Sequence, residues 1–90
     1  PKDIVVEVPG NINKNGVNGV RLDNYPSSFG SLLNNQVGVI QLTTDAVLNK
    51  SKHSAYLAML ADPVVDNPKA AENLLETMLD VQKEYLGYLS

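Results

Sequence analysis

The sequence predicts an α+β fold, in which an N-terminal β-strand or hairpin is followed by about three helices. Three observations carry this. Ile4-Val5-Val6-Glu7-Val8 is the one strongly β-like run in the chain. Asn15-Gly16 follows it as a hairpin signal. From Pro26 onward, apolar residues recur at three- and four-residue spacing. The strand and hairpin are expected over about residues 3–22 and the helical part over about 26–89.

In the strand, running from Asp3 to Val8, Ile4, Val6 and Val8 share one face, with Val5 and Glu7 on the other. Val5 is apolar as well, so both faces are expected to be partly covered, as in an interior strand. Pro9 has no N–H for a ladder, so regular pairing should stop there or lie at an edge. Asn15-Gly16 suits a type I′ turn, because both residues tolerate positive φ. Residues 11–13 lead into that turn and residues 17–22 lead out, interrupted by Asn18 and Gly19. The same glycines and asparagines do not have the spacing of a phosphate-binding loop.

Residues 22–25 read as a connection, and Pro26 suits the first turn of a helix. A stripe through Phe29, Leu32, Leu33, Gln36, Val37, Ile40, Thr44, Val47 and Leu48 extends that helix to about Lys50. Gly30 and Gly38 weaken it by roughly 1 kcal/mol each relative to Ala. They mark close packing or a break near Gly38, where residues 39–44 have local β character. Ser51 is a plausible N-cap for a second helix that buries Tyr56, Leu57, Leu60 and Ala61. Asp62-Pro63 ends it, since a residue before proline leaves the α region. Asn67-Pro68 opens the last helix as cap and first turn. Its expected inner face is Ala71, Leu74, Leu75, Met78, Val81, Gln82, Tyr85 and Leu89.

Ninety residues make one domain at most, and a chain this short has a thin core. Help from another domain or subunit is expected. The chain has no cysteine, which excludes a disulfide, a thiolate metal site and a cysteine nucleophile within it. Net charge is −3 with no basic cluster, so no nucleic-acid partner is expected. No apolar run is long enough to cross a membrane, and residues 1–20 lack a signal-peptide pattern. The chain opens on Pro1, consistent with removal of an initiator Met or with a piece of a longer protein.

Glu72, Glu76, Asp80 and Glu84 lie four apart on one helix face. Like charges at that spacing repel by a few tenths of a kcal/mol per pair. Such a ladder reads as a solvated face or as a contact for a basic partner surface. Catalytic acid–base work is not expected of it, because an exposed helix face has no cleft to push the carboxyl pKa values apart. His53, the only histidine, has no companion ligands and reads as a surface or packed residue. Asn49-Lys50-Ser51 matches a glycosylation acceptor, but nothing else suggests secretion. Tyr56, Tyr85 and Tyr88 are core-edge residues, with no interleaved basic residues to make a stacking platform.

Four stretches together resemble the C-terminal end of glycoside hydrolase family 4. Val6-Glu7-Val8-Pro9 with Asn15-Gly16 is similar to the family's "V-V-E-V-P … x-N-G" stretch. Leu42-Thr43-Thr44-Asp45-Ala46 resembles its "L-T-v-E-A-a" helix, with Thr44-Asp45 where valine-glutamate is usual. Leu60-Ala61-Asp62-Pro63 resembles its "l-x-D-P-l" segment. Leu75 to Leu79, with Lys83-Glu84-Tyr85-Leu86, resembles its final helix. Order and approximate spacing agree across nearly the whole chain.

The resemblance implies a parent enzyme that uses NAD and a divalent metal, usually manganese. It hydrolyses O-glycosidic bonds by oxidation at C3 of the sugar, elimination and water addition. The resemblance also implies that the dinucleotide-binding turn and the metal ligands lie elsewhere in that enzyme. No catalytic, cofactor-binding or metal-binding residue is therefore assigned to these 90 residues. The expectation is a structural, inactive C-terminal part of the substrate domain of a cytoplasmic, oligomeric glycosidase. Its partners would be the remainder of the enzyme, including its dinucleotide-binding part, and further copies, with the sugar bound by the whole. The alternative is a stand-alone α+β interaction module that uses the acidic helix face.

Overall fold

A computed structural model describes residues 4–89. It has the expected α+β order: a two-stranded antiparallel hairpin, β1 (Gly10–Asn13) and β2 (Gly16–Gly19), then helices α1 (Ser27–Leu48), α2 (Lys52–Ala61), α3 (Pro68–Val81) and α4 (Lys83–Leu86).

The strands fall later than the sequence predicts. Residues 4–8 have no regular secondary structure and no backbone partner among the described residues, and Asp3 lies outside the described residues. Pairing starts after Pro9, whose carbonyl accepts a 2.7 Å hydrogen bond from the Val20 amide. Pro9 thus begins the ladder through its acceptor, where its missing donor was expected to end one. The turn also differs from the expected type I′. Its central residues are Lys14 and Asn15, between the paired Asn13 and Gly16. Neither has positive φ; Gly16 alone does, at 105°. The Asn13 side chain accepts from the Asn15 amide at 2.8 Å, an Asx turn that holds the backbone locally.

Helix α1 runs unbroken through Gly30 and Gly38, and a side chain at either glycine would meet open space. The expected break and close packing are both absent. Thr43 and Thr44 satisfy their hydroxyls within the helix, on the carbonyls of Val39 and Ile40 at 2.8 and 2.9 Å, so local β character does not win. Pro26 sits one position outside the helix as its N-cap. The C-terminus closes with the Schellman pattern: Ser51 N–H to the Ala46 carbonyl at 2.9 Å and Lys50 N–H to Val47 at 3.4 Å. Lys50 occupies the left-handed position, with φ 53°, where glycine is usual.

The remaining boundaries follow the sequence signals. Ser51 caps α2, accepting from the Ser54 amide at 3.0 Å. Asp62 leaves the helical region ahead of Pro63. Asn67 caps α3 by accepting from the Ala70 amide at 3.0 Å, with Pro68 in the first turn. The last helix is interrupted at Gln82, so a single helix over residues 68–89 becomes α3 and α4. The Gln82 amide still reaches the Met78 carbonyl at 2.9 Å, so the distortion is local.

α1 and α2 form a helical hairpin, with α3 packed on α2. The Asn35 side chain donates to the last carbonyl of α2, at Ala61, over 3.2 Å. Among the described residues, the buried apolar side chains are three alanines, Ala46, Ala58 and Ala71. The large side chains expected inside are mostly outside. On α3 the half-buried row is Leu75, Leu79 and Gln82, while Leu74, Met78 and Val81 are exposed and Tyr85 is 69% exposed on α4. On α2, Ala58 is buried and Tyr56 and Ala61 are half-buried, but Leu57 and Leu60 are each 37% exposed.

The chain is elongated. Its radius of gyration is 17.4 Å, against about 12 Å for a compact domain of this length. It exposes 7331 Å², about 2,200 Å² more than the roughly 5,100 Å² expected of a folded monomer of this size. Both numbers describe an elongated chain with much of its surface open.

Candidate functional site

The features singled out in the sequence do not converge. His53 is exposed near the start of α2. Among the described residues, no three His, Cys, Asp or Glu side chains come together to hold a metal ion. These residues therefore do not fit the divalent ion that the family resemblance implies, and no reaction step is derived through it. Asn49 and Lys50 are part of the α1 C-terminal motif, and Ser51 caps α2, so that triplet has a local structural role. The Tyr56 hydroxyl donates to the Pro68 carbonyl at 3.4 Å, across the α2–α3 connection, while Tyr85 and Tyr88 are exposed.

The acidic ladder is partly neutralised from within. Glu76 forms an ion pair with Lys52 at the start of α2, and Glu72 pairs with Lys69 on its own helix at 3.2 Å. The basic contact for the middle of the ladder is thus another helix of the same chain. At such exposed positions each pair contributes at most about 1 kcal/mol. Asp80 and Glu84 have no ion-pair partner among the described residues.

One concavity is mainly apolar. A groove of about 990 Å³ runs between residues 4–7 and one face of α1. Tyr25, Leu33, Val37 and Ile40 line it, with Glu7 and Asp45 at its edges. The Tyr25 and Phe29 rings lie near its end, centroids 6.3 Å apart. The α1 side of this groove belongs to the stripe the sequence marks as core, yet Leu33 is 55% and Ile40 62% exposed. A second concavity, of about 370 Å³, lies between α1, α2, α3 and α4 and is lined mainly by Val39, Ala46, Met59, Leu75, Met78 and Leu86. Glu7, Asn34, Gln36, Gln41, Thr44 and Asp45 also line the first concavity, whose exposed surface is otherwise mostly apolar. Chemically, such a surface can bury apolar groups and exclude water. This groove is not legible in the sequence, because a stripe at helical spacing does not say which neighbour covers it.

An α+β layer with two open apolar faces and no assembled polar site has the character of a part that completes a larger fold. Comparison with known proteins gives that fold its family. Residues 1–65 match the model of the family 4 glycosyl hydrolase C-terminal domain, and the chain belongs to that family. It is 36% identical to an alpha-glucosidase of Erwinia rhapontici, over 99% of this chain and 19% of that protein. It is 32% identical to a phospho-alpha-glucosidase of Clostridium acetobutylicum, over 98% of this chain and 20% of that protein. It is 28% identical to a maltose-6'-phosphate glucosidase of Bacillus subtilis, over 90% of this chain and 18% of that protein. The chain thus spans about a fifth of the length of these relatives. No solved structure matches it. The family model ends near the α2–α3 connection, while the first two relatives align through α3 and α4.

Proposed function

We propose that this chain is the C-terminal part of the substrate domain of a family 4 glycosidase that acts on α-glucosides. The names of the first two relatives, an alpha-glucosidase and a phospho-alpha-glucosidase, support that substrate class, while a more distant relative is named a probable 6-phospho-beta-glucosidase. The complete enzyme is proposed to hydrolyse the O-glycosidic bond by the NAD- and manganese-dependent oxidation, elimination and water addition characteristic of the family. It is proposed to work in the cytoplasm as an oligomer. Among the described residues no helix is long and apolar enough to cross a membrane.

Within that enzyme the role proposed for this chain is structural. The observation that carries the reading is the bare apolar face of α1, with Phe29, Leu33 and Ile40 each more than half exposed, beside a core of three alanines. Burying a side chain of that size contributes about 1.5–3 kcal/mol, so leaving several in water is a large loss that a covering layer recovers.

The test is an assay of the purified 90-residue chain beside the complete enzyme. Substrates are p-nitrophenyl α-glucoside and its 6-phosphate, with NAD and Mn²⁺ supplied. Hydrolysis by the complete enzyme and none by the chain is the expected result. Turnover or NAD binding by the chain alone would overturn the structural role.

A further inference from the structure

We propose that Asn18 is a site of spontaneous covalent modification, at which the backbone nitrogen of Gly19 attacks the Asn18 side-chain carbonyl carbon and converts the asparagine to aspartate and isoaspartate. The reaction needs only the hairpin and water, so it stands apart from the glycosidase reading.

The chain contains two Asn-Gly pairs, Asn15-Gly16 and Asn18-Gly19, and both lie in the hairpin. Glycine has no Cβ to crowd its amide nitrogen and has the freest backbone, so it hinders such an attack least. Asn15, Gly16, Asn18 and Gly19 are all exposed. As sequence the two pairs are equivalent; strand pairing separates them. The Val20 amide donates to the Pro9 carbonyl at 2.7 Å, which makes those two residues a hydrogen-bonded pair. In an antiparallel ladder such pairs alternate with non-hydrogen-bonded ones. Followed through the register, Gly10–Gly19 is a non-hydrogen-bonded pair, Asn11–Asn18 a hydrogen-bonded one, and Asn13–Gly16 hydrogen-bonded again. The Gly16 N–H is therefore directed at the Asn13 carbonyl. The Gly19 N–H points away from β1 and has no acceptor among the described residues.

A backbone amide becomes a nucleophile as it gives up its proton, and a hydrogen bond to a carbonyl holds that proton in place. Gly19 is the glycine of the two without that restraint. The Asn18 side chain is held only by its Nδ2 donating to the Gly16 carbonyl at 3.5 Å, longer than an ordinary N–H···O bond. In the attack the bond from Gly19 N to Asn18 Cγ forms and the bond from Cγ to Nδ2 breaks. Ammonia leaves, carrying the proton that Gly19 gives up. Water then opens the cyclic imide at one carbonyl or the other, which yields aspartate or isoaspartate. Ring closure requires Asn18 to leave its extended backbone. A sheet of 2 strands is marginally stable, and its local openings supply that freedom. Isoaspartate adds a methylene to the main chain of β2, so the pairing beyond it, at Gly19 and Val20, loses its register.

The experiment holds the complete enzyme at mildly alkaline pH and follows Asn15 and Asn18 by peptide mapping that resolves asparagine, aspartate and isoaspartate. The same measurement in denaturant gives the rate ratio set by neighbouring residues alone. Divided by that ratio, conversion in the folded enzyme should favour Asn18 by about 2- to 10-fold, the factor that one backbone hydrogen bond on Gly16 corresponds to. A ratio below about 2 overturns the proposal, as does a folded enzyme that keeps Asn18 intact while the denatured one converts it. Asn18→Gln is the control variant, because its longer side chain closes the ring poorly and its amide is kept. It should abolish conversion at that position and leave the rate at Asn15 unchanged. Acid formation at position 18 as fast as in wild type would rule out attack by Gly19. Gly19→Ala is a poorer control, since Val8 Cγ2 lies 3.1 Å from where its Cβ would sit.

Discussion

The two sides of α1 are both apolar, yet only one is covered. Val39, Leu42 and Ala46 face the α2 side and are buried or half-buried. Phe29, Leu33 and Ile40, on the other side, are each more than half exposed. The covered side uses a small residue, Ala46, where α2 approaches closely. The bare side carries the larger side chains, which make a good interface only when something fills the space between them. Burial therefore follows the neighbour that is present and not the hydrophobicity of the stripe.

Substitutions in the complete enzyme can break this comparison. Ala46→Asp should have the largest effect, about 3–5 kcal/mol, because it places an unpaired charge against α2. Chemical denaturation should show that loss even if the other side is never covered. Ile40→Ala tests the bare side. A loss of about 2–5 kcal/mol is expected if a further layer buries it; a change below about 0.5 kcal/mol would mean that the face stays in water.

Smaller effects sharpen the local picture. Asn67→Ala should remove about 1 kcal/mol, because the Ala70 amide loses its cap. Lys50→Gly should move the other way, stabilising by about 1 kcal/mol, since the position is left-handed and a side chain is disfavoured there. Thermal melting of both variants against wild type checks the opposite signs. Glu76→Lys should weaken the α2–α3 contact by at most about 1 kcal/mol, and adding Lys52→Glu should restore it. If the double exchange restores nothing, the ion pair does not contribute in solution.

The helical hairpin was the most legible part of the chain. Ser51, Asp62-Pro63 and Asn67-Pro68 act through bonds within a few residues, so local chemistry is enough to place them. The α1 terminus was less legible, because a lysine fills the position that glycine normally marks. Gly38 suggested a break that the flanking helix overrides. The acidic ladder was visible as a pattern, but its pairing with Lys52 depends on how α3 lies on α2.

The N-terminal part divides in the same way. Asn15-Gly16 marked the hairpin but not its turn type or register, since the turn centres one residue earlier, on Lys14 and Asn15. The β-rich residues 4–8 stay unpaired, because a strand needs a partner that local sequence does not supply.

By itself the sequence determined the α+β order, the helix caps, the hairpin and the family, all of which depend on short-range chemistry or on motif order. Tertiary structure alone decided which side of α1 is covered, where strand pairing begins and what neutralises Glu76. Those outcomes depend on which surfaces meet, and burial, backbone pairing and ion pairing acquire their free energy only at that meeting.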